Sequence, residues 1–110
     1  MADIKRLNSL DEFNEFIKQE NTTNIIKFYA EWCGPCKTLS NTIQELTEED
    51  VEGVMLAEVN VEDEWFEDKA TELKIRGIPV MIAFKGGEEL ERMNGLLPKT
   101  ELVAFIKWNK

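Results

Sequence analysis

The stretch Ile25-Ile26-Lys27-Phe28-Tyr29-Ala30-Glu31-Trp32-Cys33-Gly34-Pro35-Cys36-Lys37 decides how the rest of the chain is read. Its first six residues are β-branched, aromatic or small, with one charge among them, and predict a strand. Near-continuous apolarity points to burial on both faces, as in a central strand with helices above and below. From Gly34 to about Glu49 the residues Leu39, Ile43 and Leu46 recur at helical spacing, so a helix begins inside the cysteine pair. Cys33 and Cys36 thus stand where a buried strand hands over to a helix N-terminus.

That junction suits sulfur chemistry. Two cysteines separated by two residues at a helix start can close a small disulfide ring without straining the fold. The first lies where unpaired backbone N–H groups and the positive end of the helix dipole stabilise a thiolate. Only the thiolate attacks a disulfide, so the placement turns a sluggish thiol into a nucleophile. Cys33 is expected to be the exposed attacker, and Cys36, about one turn into the helix, the shielded thiol that resolves the mixed disulfide. Two other readings compete: half of a zinc site, or inert core cysteines. Zinc wants four ligands, and the chain has no third cysteine and no histidine, so no metal is expected. The strand–CGPC–helix setting favours a redox pair over plain core residues.

Outward from this segment, Ser9-Leu10-Asp11-Glu12 has capping-box spacing and opens a helix predicted to run to about Glu20. Val54 to Val61 reads as a second apolar strand, and Asp63 to about Lys74 as a helix of less regular period. Pro79 to Phe84 is a further strand, and Gly86-Gly87 turns it into a hairpin with Glu88 to Met93. Pro98 opens a last helix whose Leu102, Val103, Phe105 and Ile106 can face a core. With a possible short strand at the start, the order is β, α, β, α, β, α, β, β, α. Early strands separated by helices run parallel, and the late hairpin adds antiparallel ones. The expected fold class is α/β, a central mixed sheet flanked by helices on both faces, in one domain over residues 1–110.

Composition narrows the function. Thirteen Lys and Arg against 22 Asp and Glu give a formal net charge of −9. Nucleic-acid binding relies on basic side chains that neutralise phosphates, and an anionic membrane would repel this surface. The opening residues lack a signal-peptide pattern, so a cytoplasmic location is the expectation. Without histidine the chain also lacks the commonest general base.

Over essentially its whole length the chain resembles the thioredoxin family. Ala30 to Lys37, with Trp32-Cys33-Gly34-Pro35-Cys36-Lys37 at its centre, matches that family's active-site segment. Arg76-Gly77-Ile78-Pro79 matches its second hallmark, a loop with a cis-proline facing the cysteines, and Phe84 to Glu88 resembles its hairpin turn. The resemblance implies a thioredoxin fold and a protein-disulfide reductase cycling Cys33 and Cys36 between dithiol and disulfide. It implies no bound cofactor, disulfide-containing protein substrates, recharging by a thioredoxin reductase, and a monomer. It also implies a substrate rim of Trp32, Gly34, Pro35, Gly77, Ile78, Pro79 and Gly95, with Val61 and Leu96 beside them. The Gly34-Pro35 dipeptide is like that of reducing members, which argues against an oxidase. A docking or scaffold subunit using the same fold is the alternative, supported by the acidic surface and by Trp65-Phe66.

One departure stands out. Family members usually bury an aspartate on the strand before the motif, and this chain has Lys27 there; where they usually offer a nearby lysine it has Glu58. The pair is charge-reversed. A lone buried charge is expensive, so Lys27 is expected to pair with Glu58. Either Glu58 takes over as proton acceptor for Cys36, or Lys27 favours the Cys36 thiolate electrostatically, or Lys27 snorkels to solvent and neither residue matters.

Overall fold

Ser9 starts the first helix as its spacing demands: its hydroxyl accepts the Glu12 N–H at 3.1 Å, while the Glu12 carboxylate reaches back to the Asn8 N–H at 2.9 Å. The computed structural model describes residues 3–110. Its elements are β1 (Ile4–Arg6), α1 (Leu10–Ile17), β2 (Thr23–Tyr29), α2 (Gly34–Gln44) and β3 (Val54–Asn60). A 3-10 turn (Glu64–Phe66), α3 (Glu67–Glu72), β4 (Val80–Lys85), β5 (Glu88–Asn94) and α4 (Lys99–Trp108) follow. Among the described residues no helix is long and apolar enough to cross a membrane.

The five strands lie in the order β1-β3-β2-β4-β5. β1, β3 and β2 are parallel, and β4 and β5 join antiparallel, which is the mixed sheet that the order of elements predicts. Every residue of β2 is buried. Alternation along the strand then divides the core in two. Ile25 packs with Leu39, Ile43, Leu102 and Phe105 of α2 and α4, while Ile26 and Phe28 pack with Phe13 of α1, Phe66 and Phe84. Lys27 has the parity of Ile25, so the same rule places the strand's one charge beneath α2.

Several boundaries differ from expectation. α1 stops at Ile17 rather than Glu20, and α2 at Gln44 rather than Glu49. After α2 the Thr47 N–H donates to Asp50 Oδ2 at 2.9 Å and the Asp50 N–H to Thr47 Oγ1 at 3.1 Å, a reciprocal pair that gives the backbone an alternative to another helical turn. The Thr47 N–H also holds the Asp50 carboxyl below its ordinary range. The predicted helix from Asp63 splits into the 3-10 turn and the shorter α3, and Lys74 ends it with a φ of 59°.

Trp65-Phe66 is not the docking face suggested by sequence. Phe66 is fully buried, and Trp65 packs partly buried against the same cluster. Irregular period had hidden a core role. Gly86 and Gly87 take φ values of 59° and 85°, the left-handed pair that a tight hairpin of this kind requires.

Phe13 ties three elements together, with ring centroids 6.3 Å from Trp65, 6.0 Å from Phe66 and 6.1 Å from Phe84. Phe13→Ala should therefore lower unfolding free energy by about 3–5 kcal/mol, the usual cost of emptying a packed aromatic site. Denaturant titration checks this: the midpoint falls while the slope is kept.

Candidate redox site

Tyr29 ends β2 and Gly34 begins α2, so only four residues separate the central strand from the helix that carries the cysteines. Cys33 is the N-cap of α2, in extended backbone conformation, and Pro35 occupies the first turn, where its missing N–H costs nothing. The Cys33 sulfur accepts the backbone N–H of Cys36 at 3.2 Å. A sulfur in the capping position thus meets an unpaired helix N–H and the positive end of the dipole together, an arrangement that favours negative charge on Sγ.

Cys33 and Cys36 are joined as a disulfide, with Cα atoms 5.3 Å apart. The expected contrast in exposure is absent from this oxidised state: Cys33 is 4% exposed and Cys36 2%. Bonding the two sulfurs draws Cys33 against its partner, and Tyr29, Ala30, Val61 and Ile78 pack around the pair. Burial does not separate attacker from resolver here. The capping bond, made to the Cys33 sulfur, is what sets the two cysteines apart.

Of the expected rim residues, Val61 and Ile78 pack against the disulfide. Trp32 is 69% exposed, and its indole N–H donates to Glu62 Oε2 at 2.9 Å, so a carboxylate orients the ring. Ile78 and Val61 contact the cysteine cluster, and the Ile78–Pro79 peptide is cis. The carbonyl of Pro79 accepts the Gly95 N–H at 2.8 Å, with Gly95 at a φ of 87°. That bond ties the loop after β5 to the loop before β4. Gly34, Pro35, Gly77 and Leu96 are exposed.

Beneath the disulfide lies the charge pair. Lys27 and Glu58 are register partners across β2 and β3, and Lys27 Nζ lies 3.3 Å from Glu58 Oε1. The lysine side chain is only 3% exposed and the glutamate 22%, so Lys27 does not snorkel. Its ammonium also donates to Ser40 Oγ and sits 5.0 Å from the centre of the Tyr29 ring. Buried charge without such partners would be costly; among the described residues no buried side-chain nitrogen or oxygen is left unpaired. A cavity of about 240 Å³ connects this pair to Cys36, lined by Lys27, Glu58, Ser40 and Cys36 together with Arg6 and Glu31.

Two contributors escaped sequence reading. Glu62 lies far from Trp32 in sequence, and nothing in the pattern pairs them. Ser40 did carry a signal: it follows Cys36 by four residues, hence lies one turn along the same helix face.

Comparison with known proteins places this geometry. A family model described as Thioredoxin matches residues 5–108. A thioredoxin of Chlamydia caviae is 38% identical over 98 residues, covering 89% of this chain and 91% of the relative. One from Haemophilus influenzae is 32% identical over 108 residues, covering 96% of each. Among solved structures, the oxidised mitochondrial thioredoxin 3 of Saccharomyces cerevisiae superposes with a TM-score of 0.79 at 31% identity, over 94% of this chain and 93% of that one.

Tyr29 is the chain's only tyrosine and so a reporter of the charge beneath the cysteines. Burial first, and the Glu58 charge second, hold its phenol above the ordinary value. Glu58→Gln removes the second cause and leaves the first. The tyrosinate absorbance transition should move to lower pH in that variant, and an unmoved transition would place the Glu58 charge away from the ring.

Proposed function

The chain belongs to the thioredoxin family and is a thiol–disulfide oxidoreductase, and from that premise we propose that it works as a reductant of protein disulfides. The observation that carries the reading is the Cys36 N–H donated to the Cys33 sulfur at the head of α2. It supports Cys33 as the nucleophile, because the same bond stabilises the thiolate that must attack.

In the proposed cycle the Cys33 thiolate attacks one sulfur of a substrate disulfide. The substrate's second sulfur leaves as a thiolate, and a mixed disulfide joins Cys33 to the first. Cys36 then gives up its proton and attacks Cys33 Sγ, which releases the first substrate sulfur. Two electrons have passed to the substrate, and the Cys33–Cys36 disulfide remains. The Gly34-Pro35 dipeptide, with no histidine to strengthen the thiolate, supports the reducing direction. Recharging falls to a thioredoxin reductase, an NADPH-dependent flavoprotein, and a monomer working in the reducing cytoplasm suits the cycle.

Exposed Trp32, with Ile78 and the neighbouring Gly77 and Gly95, forms the rim for an extended substrate segment. Pro79 lacks an N–H, which leaves the Ile78 backbone free to pair with such a segment. Glu58 is the proton acceptor for Cys36, working across the shared cavity, and Lys27 is its fixed counter-ion.

Insulin reduction driven by dithiothreitol tests the assignment. The native chain should accelerate it strongly and Cys33→Ser not at all; a native chain without effect refutes the reductase reading. Glu58→Gln should slow turnover by roughly a hundredfold, the low side of what a positioned proton acceptor contributes, while Cys33 alkylation keeps its rate. Unchanged turnover would remove Glu58 from the mechanism.

A further inference from the structure

Lys27 has two hydrogen-bonding or ionic partners, Glu58 and Ser40, and only Ser40 belongs to the helix that carries the cysteines. The Ser40 hydroxyl accepts from the Lys27 ammonium and donates to the Cys36 carbonyl oxygen at 3.1 Å. A helical serine commonly returns its hydroxyl to the carbonyl four residues back, so that bond alone means little. Here the same oxygen also receives a buried ammonium. Two consecutive hydrogen bonds then connect a fixed cation to the backbone of Cys36.

We propose that Ser40 is a positioning residue of the thiol chemistry, holding the Lys27 ammonium against the first turn of α2 so that the cation favours the Cys36 thiolate and raises the reduction potential. This inference rests on the reductase reading above and adds to it the element that sets its redox poise. A cation near a thiolate stabilises the charged form, and stabilising the dithiol state makes the disulfide easier to reduce.

The other charges that face the cavity are Arg6 from β1, Glu58 from β3, and Glu31 and Lys37 flanking the cysteines, with the Tyr29 phenol from β2. Glu58 opposes the cation, but it reaches Lys27 from the β3 side and makes no bond to α2. Glu31 and Lys37 are exposed, and water screens them. Ser40 therefore decides which member of the ion pair is coupled to the helix.

Equilibration with a glutathione redox buffer measures the effect. Ser40→Ala should lower the equilibrium constant for reduction about threefold, or ~15 mV more negative at ~30 mV per decade for a two-electron couple. Lys27→Met, which removes the cation itself, should lower it about tenfold, or ~30 mV. Ser40→Thr keeps a hydroxyl at this position and should restore the native potential. In a Cys33→Ser background, Ser40→Ala should also move the pH midpoint of Cys36 alkylation upward, a change that merely loosened packing would not produce. A native potential in Ser40→Ala, or a loss that Ser40→Thr does not rescue, overturns the proposal. Insulin reduction by the native chain is scored separately: its failure removes the reductase reading, whereas an active native chain with an unmoved Ser40→Ala potential overturns the role of Ser40 alone.

Discussion

β2 has no face toward water, and most of this structure follows from that constraint. With neighbours on both sides in the sheet and helices against both faces, each of its side chains must find a partner of its own kind. Apolar residues supply most of the strand, and alternation sends them to two clusters under different pairs of helices. The C-terminal end of the same strand delivers the cysteines. Because β2 is clamped on every side, the short turn Ala30–Cys33 and the start of α2 have little freedom, and a sulfur is held in the capping position.

The same constraint explains the charge pair. A lysine in a strand buried on both faces cannot reach solvent, so its charge must be matched inside. Parallel register brings Glu58 beside it, and the overlying helix brings Ser40 above it. What would be a defect in a purely structural strand becomes a polar pocket at the base of the disulfide. The resulting division of labour is physical. The capping N–H is donated to Cys33, while the charged side chains share a pocket with Cys36.

Much of this is legible in the sequence. Cysteine spacing, the apolar strand ahead of it and helical periodicity behind it identify the redox pair, since each depends on neighbours in sequence. The Gly86-Gly87 turn and the Ser9 cap were equally local. Boundaries were less legible, because competing local bonds such as the Thr47–Asp50 exchange end a helix where apolar period alone would continue it. Trp65-Phe66 reads as surface in the sequence for a related reason. A 3-10 turn does not present its residues at helical spacing, so burial left no periodic trace.

By itself, then, the sequence determined the order of elements, the layered α/β sandwich, the chemistry of Cys33 and Cys36, and the need for Lys27 to have a partner. These rest on local spacing and on the cost of burying particular atoms, which travel with residue identity. Only tertiary structure decided that Glu62 steers Trp32, that Gly95 ties itself to Pro79, that Cys33 is as buried as Cys36 when oxidised, and that Ser40 stands between Lys27 and Cys36. Each is a contact between elements distant along the chain or a consequence of bond closure. Their geometry is set by how helices seat on a sheet, which no short stretch of sequence contains.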